Sequence, residues 1–346
     1  MDHATQLPQA RGPLSAGLIA GLRDPGQLHP GVLVEHVRQL PSDGSIADDD
    51  LQLCLWVFYE LHYRGFDGVD DAAEWDPDLL RVRRGLEEVF EAELRRRTEG
   101  TVADALEGDG DVATSFFAFC ESFEAPSVAQ FVQREATVGQ VTEFLIQRSI
   151  YHLTEADPTS WAIPRLTGKA KVALVELLYD EYGAGRPERL HSQLFADALE
   201  ACGLDSRYGT YIDQVPATTL AVNNAMNLFG LHRRLLAAGV GHFGAFEATS
   251  SLPSRRFAAG MRRLGLPEAA PAYFDEHVEA DAVHEQVAVR DICAEVAGES
   301  PTARREVFFG AAVCLYLGSV AATESLDCWN EGRSALRGPA GKEAVA

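Results

Sequence analysis

Apolar residues recur at helical spacing along almost the whole chain, and no convincing run of apolar–polar alternation interrupts them. A stripe that repeats every 3.6 residues buries one face of a helix, whereas a half-buried strand needs period two, so the pattern confines the chain to an all-α fold. Segment 77–97 shows it plainly: a proline at a first-turn position, then Leu79, Leu80, Val82, Leu86, Val89, Phe90 and Leu94 along one face. Residues 47–64 read as an acid-started, mostly buried helix. Further helices are expected at 126–153, 159–182, 187–202, 214–249, 251–264, 268–297 and 302–332. Between 99 and 111 the chain (EGTVADALEGDGD) loses its period and gains Gly and acid, as a linker does. The expected organisation is an N-terminal helical region over 1–110, a bundle over 111–335 and a disordered tail over 336–346, with the first region available as a homodimer arm.

Charge narrows the partners. Asp plus Glu number 52 against 30 Lys plus Arg, a formal charge of −22. Such a field repels a phosphate backbone and an anionic lipid surface, so neither nucleic acid nor membrane is expected. No stretch reaches the 18 or so apolar residues of a spanning helix, and the start MDHATQLPQARGPL lacks the basic and apolar segments of a signal peptide. Six scattered cysteines without a CxxC argue against a disulfide framework or a thiolate zinc site and fit reduced thiols, so a cytoplasmic location is expected.

The chemistry gathers late in the chain. In His277-Val-Glu-Ala-Asp281-Ala-Val-His284, offsets of four and seven put Asp281 and His284 at roughly 40° and −20° from His277 around a helix. Imidazole plus carboxylate on one stripe is a ligand set for iron, manganese or zinc, although acids as dense as Glu276, Glu279 and Glu285 also make an ordinary solvated face. A bundle must add ligands from facing helices. Glu188-x-x-His191 is one candidate pair. Glu247 is another, in a helix of small and apolar residues where an unpaired carboxylate is costly; a cap at Thr249-Ser250-Ser251 is the alternative. Glu155, or equally Asp157, precedes Pro158 and also suits a helix-end acid. In this order the residues follow the Glu…ExxH…Glu…ExxH pattern of ferritin-like di-iron bundles, except that His277 is surplus.

Residues 130–335 resemble the haem-oxygenase-like di-iron oxidase and oxygenase superfamily, the iron-containing redox enzymes. The match rests on the H-x3-D-x2-H of His277, Asp281 and His284, on Glu247 thirty residues before His277, and on Glu181-x9-His191. Glu155 falls where N-oxygenating members carry an additional carboxylate. The resemblance thus implies a haem-oxygenase-like bundle holding two iron ions on Glu155, Glu181, His191, Glu247, His277, Asp281 and His284. It also selects Glu181 over Glu188. On an unbroken helix Glu181 and His191 would stand about 15 Å apart along the axis, but the Gly-Ala-Gly-Arg-Pro run between them permits the chain to fold back.

What the resemblance implies for function is O2-dependent oxygenation, first of an amine on an amino-acid-like small molecule. Desaturation or oxidative C–C cleavage of an amino or fatty acid is the alternative, and a non-catalytic iron-binding bundle stands behind both. No flavin or nicotinamide fingerprint is present, so electrons are expected from a separate reductase or ferredoxin-type donor. Arg233, Arg234, Arg255 and Arg256 are candidate partners for a substrate carboxylate, against the plainer reading that they are solvated. His152 and His242 read as packed or capping residues, as do Glu60 and His62, and Cys328 and Trp329 as core.

Overall fold

The computed structural model of the chain describes residues 5–107, 110–298 and 300–338, with only the backbone at 279–283. Four helices make the N-terminal region: α1 (Pro13–Arg23), α2 (Pro30–Arg38), α3 (Asp49–Glu60) and α4 (Pro77–Ala105). Then follow α5 (Val112–Ser122), α6 (Val128–Arg134), α7 (Val138–His152), the one-turn α8 (Asp157–Ser160), α9 (Gly168–Glu181) and α10 (His191–Ala201). The remainder is α11 (Ala217–Leu231), α12 (Leu236–Arg263), α13 (Ala269–Gln286), α14 (Ala294–Ala297) and α15 (Pro301–Asn330). Among the described residues the β pairing is one isolated bridge, Thr5 to Phe66. The fold is all-α, as its periodicity requires.

Side-chain caps set several starts. Asp48 accepts the N–H groups of Asp50 and Leu51, Asp76 those of Asp78 and Leu79, and Thr137 exchanges a capping box with Gln140. That last cap divides the helix expected over 126–153. The helix expected over 214–249 also divides, because His232 turns extended before a short 3₁₀ turn at Arg233–Leu235. Where a break was expected at 250, α12 runs on through Pro253. Pro253 withholds one i→i−4 bond only, from the Thr249 carbonyl, so neighbouring packing carries the helix across. The linker likewise starts later than its composition suggests, for α4 continues to Ala105 with Thr98 and Val102 buried on the packed side. The stretch 268–297 is continuous: α13 passes through a π-helical segment, Val287–Cys293, into α14.

Helix α12 is the axle, packed by α13, α15 and α6. A Cβ on Gly241 would strike the Val307 carbonyl and one on Gly310 the Ala238 carbonyl, so glycine lets α12 and α15 cross backbone to backbone. By length and composition alone α15 is apolar enough to cross a membrane, contrary to the expectation above; here Val307, Phe308, Phe309 and Val313 are core residues. Helices α3 and α4 lie on α11 and α15, and Trp56, Phe90 and Phe308 share one continuous core. A second core, around Phe195, Phe257, Tyr273, Phe274 and Trp329, closes the other side. In the expected tail, Arg337 is docked: its backbone N–H donates to the Gln214 carbonyl and its side chain to Asp49, both at 2.8 Å. Residues 339–346 lie outside the described ones.

Candidate metal centre

Three chain reversals bring acids and imidazoles to one buried point. The first follows α7. Ala156 adopts a left-handed conformation (φ 71°), and the turn it makes leaves Glu155 facing inward while Asp157 turns outward to Arg64 and Tyr182. The second lies between α9 and α10. Gly183 (φ +77°), Ala184 (φ 52°) and Gly185 (φ +79°) carry the chain back on itself. A Cβ on Gly183 would stand 2.6 Å from the Leu190 nitrogen, so the return is as tight as glycine permits. Glu181, the last residue of α9, thereby meets His191, the first of α10: Oε2 to Nδ1 is 2.8 Å. The third reversal sets α13 beside α12, placing His284 near Glu247.

Glu155, Glu181, His191, Glu247, His277 and His284 are each no more than 6% exposed. One ligand atom from each of Glu155, Glu181, His191 and His277 falls within 4.8 Å of all the others. His277 Nε2 is 3.5 Å from Glu155 Oε2, and the rings of His191 and His277 are 4.6 Å apart. On the other side, His284 Nδ1 lies 3.4 Å from Glu181 Oε1 and 3.7 Å from Glu247 Oε2. Glu181 therefore turns one oxygen to each group. The Asp281 side chain lies outside the described residues. Glu188 is exposed and takes no part.

The donors fit a metal. Ligands held about 2.0–2.2 Å from one ion stand at most about 4.4 Å apart, so tightening by a few tenths of an ångström would close the four-residue group on a cation. His191 Nδ1 and His284 Nδ1 approach carboxylate oxygens without the alignment of a hydrogen bond. His277 Nδ1 lies 2.8 Å from the Tyr273 carbonyl, an N–H···O contact that fixes the tautomer leaving Nε2 as the ligand atom. Carboxylate with imidazole is the donor set of non-haem iron.

The electrostatics agree. Burial alone raises a carboxyl, yet the imidazoles of His191 and His284 outweigh it and hold Glu181 at about 2. Likewise, despite burial, His152 and His277 hold Glu155 well below the usual carboxylate range. Burial lowers an imidazole, but Glu181 and Glu247 raise His284 to about 11.

Three further residues support the ligands. The Tyr273 hydroxyl donates to Glu155 Oε2 at 2.7 Å and lies 2.7 Å from His152 Nδ1, which is 3.2 Å from Glu155 Oε1. Burial and the charge of Glu155 keep that phenol protonated. Asp180, half-exposed, lies 3.4 Å from His284 Nε2. None of these had been singled out for such a role. Tyr273 was legible, one turn before His277 on the same stripe; His152 is three residues before Glu155, on the same side.

The four candidate substrate arginines do not reach the centre. Arg234 is taken by Glu91 of α4 at 3.0 Å, Arg233 and Arg255 are exposed, and Arg256 is half-buried away from the cavity. What does adjoin the ligands is a cavity of about 390 Å³, bounded by α7, α11, α12, α13 and α15 and reaching His152, Tyr273 and His277.

The chain is similar to several known proteins. The chain is 27% identical over 215 residues to nitrosourea synthase from Streptomyces achromogenes subsp. streptozoticus; the match takes in 60% of this chain and 46% of that protein, less than half its length. A solved CADD-like protein of unknown function from Nostoc punctiforme aligns with TM-score 0.47 and 20% identity, over 68% of this chain and 97% of that one. The family model for iron-containing redox enzymes matches residues 142–319, just over half of the chain and the stretch that supplies every ligand described above. The protein is an oxidoreductase and belongs to the iron-containing redox enzyme family.

Proposed function

We propose that this chain is a non-haem di-iron, O2-dependent oxygenase that N-oxygenates an amine of an amino-acid-like small molecule. The observation that carries this reading is Glu155: a third carboxylate, buried with His277, His191 and Glu181 beside a ligand-sized cavity. Glu155, His191 and His277 would hold one iron, Glu247 and His284 the other with Asp281, and Glu181 would span the two. Iron held there would supply the electrons for O2 activation, with a ferredoxin-type or reductase donor to replenish them.

The chain's own residues supply the rest. Tyr273 keeps its proton on the phenol and donates it toward Glu155 Oε2, fixing that carboxylate's orientation. His152, its pKa pushed down to about 4 by burial, stays neutral and braces Glu155 from the other side. Phe144, Phe246, Phe257 and Phe274 on the cavity wall keep water from the reacting end of the substrate.

Anaerobic loading with Fe(II), followed by mixing with isotopically labelled O2 and a panel of amines, tests the proposal by mass spectrometry. A product that keeps its carbon skeleton and gains labelled oxygen on nitrogen supports it. A product that loses two hydrogens or a carbon fragment without label makes the protein a desaturase or lyase. Iron taken up with no organic product at all leaves only an iron-binding bundle.

A further inference from the structure

Among the described residues lining the large cavity, histidines aside, there is one charged side chain, Arg148 of α7; the wall has no Asp, Glu or Lys. Arg148 is one helical turn before His152 on the same face, so its guanidinium serves the cavity next to the His152–Glu155–Tyr273 group. Among the described residues no carboxylate lies within ion-pair distance of it. Its recorded neighbour is the Phe144 ring, with Cζ 5.5 Å from the centroid. Glu155 attracts it from farther away but is already committed to His152, Tyr273 and His277.

An enclosed guanidinium without a carboxylate partner is costly, and the planar fork of arginine matches a carboxylate better than any other anion holder in this wall. The remaining surface is mostly apolar: Phe123, Val128, Phe246, Phe257, Phe274 and Leu315. A cationic end would be repelled at Arg148 and welcomed toward the acids of the metal centre. One cation, a mostly apolar wall and the acids of the neighbouring metal centre define an orientation.

We propose that Arg148 is the anchor for a substrate carboxylate, so that the cavity takes monocarboxylates with an apolar body, carboxylate on Arg148 and the reacting end toward Glu155. This rests on the oxygenase reading for what is transformed, though not for what is bound. Arg148 is thus a specificity residue, and the arginines at 233, 234, 255 and 256 are not.

The test is equilibrium binding of decanoate, decylamine and 1-decanol to the full chain, iron-loaded under anaerobic conditions and again metal-free, with iron content measured separately. Expected is a preference for decanoate over both analogues of about tenfold or more, an equal loss in Arg148→Gln and partial retention in Arg148→Lys. The 1-decanol affinity of Arg148→Gln should be unchanged. Should Arg148→Gln fail to fold, the wild-type preference and Arg148→Lys still decide. Decanoate bound equally well by Arg148→Gln, bound only when iron is present, bound no better than 1-decanol, or not bound at millimolar concentration overturns the proposal. A protein that takes no iron yet binds decanoate through Arg148 overturns the oxygenase reading instead and leaves the anchor standing.

Discussion

Two clusters of buried acids in this molecule differ in their main partners, guanidinium in one and imidazole in the other. Beneath α4, Glu91 is held by Arg95 at 2.9 Å and Arg234 at 3.0 Å, Glu87 by Arg83 at 3.3 Å and His232 at 2.9 Å, while Arg95 also forks onto Glu306. In the metal centre Glu155, Glu181 and Glu247 meet imidazoles, with no guanidinium within ion-pair distance among the described residues. Arginine cannot yield its proton, so Arg95 and Arg234 close Glu91, and the cluster fastens α4 to the turn before α12 and to α15. An imidazole can exchange its proton for a metal ion without leaving its carboxylate neighbours. Glu91 and Glu181 are both held down against burial; only the second cluster is open to an ion.

Removing an imidazole should break that difference most severely. His284→Ala is expected to lose at least one iron by elemental analysis, since among the described residues no other histidine stands between Glu181 and Glu247. Glu188→Ala, on the exposed turn before α10, should keep its full complement. Undiminished iron in His284→Ala would remove the second group from the site. Iron loss in Glu188→Ala without loss in Glu181→Ala would restore the ferritin-like register.

Next in size is Gly183→Ala. The added Cβ would stand 2.6 Å from Leu190 N and 2.8 Å from Arg189 C, at a positive φ. The strain should cost about 1–3 kcal/mol in urea denaturation, and relief by moving residues 189–191 would draw His191 from Glu181. Lower iron content with unchanged helical circular dichroism is the expected signature. Normal iron content would mean that the cluster tolerates a looser return between α9 and α10.

How much of this was legible in the sequence follows from which forces are local. The stripe of His277 and His284 is a property of one helix, so period alone exposes it. Glu181 and His191 are ten residues apart and meet only because Gly183 and Ala184 turn left-handed; the glycines make that return permissible, and family resemblance had to choose it. The sequence reads as one helix over 214–249 because apolar periodicity persists across His232–Leu235, where an extended residue and a 3₁₀ turn intervene without disturbing the pattern. Arg234 looks available to a substrate in the sequence because its partner, Glu91, is 143 residues away. Arg148 carries no sequence signal: a single arginine on an amphipathic helix gives no sign that a cavity, and not solvent, faces it.

Glu60 sharpens the comparison as a buried acid with neither kind of partnership. Burial pushes it up to about 8, against weaker opposition from Arg64 and Tyr208, and its Oε1 has no hydrogen-bond partner among the described residues. A carboxyl raised in the fold contributes fully below its unfolded value of 4.5 and loses that contribution as pH rises toward about 8. Stability measured by denaturant should therefore fall across that window, by up to about 1.4 kcal/mol per pH unit, and Glu60→Gln should flatten the slope. An identical slope in Glu60→Gln would mean that water reaches this acid.

The smallest effect is expected from Arg234→Ala, and it locates the boundary between the two clusters. Arg234 is half-exposed at 54%, and Glu91 keeps Arg95 when it is removed. An exposed ion pair is worth at most about 1 kcal/mol, so the midpoint of unfolding should move little. Neither Arg234 nor Arg233 lines the cavity, and α12 carries the chain from them to Glu247 through three helical turns of core. Iron content, decanoate affinity and KM for an amine substrate should accordingly match the wild type. A tenfold loss in either binding measurement would place Arg234 in communication with the centre and make the closed cluster part of the site.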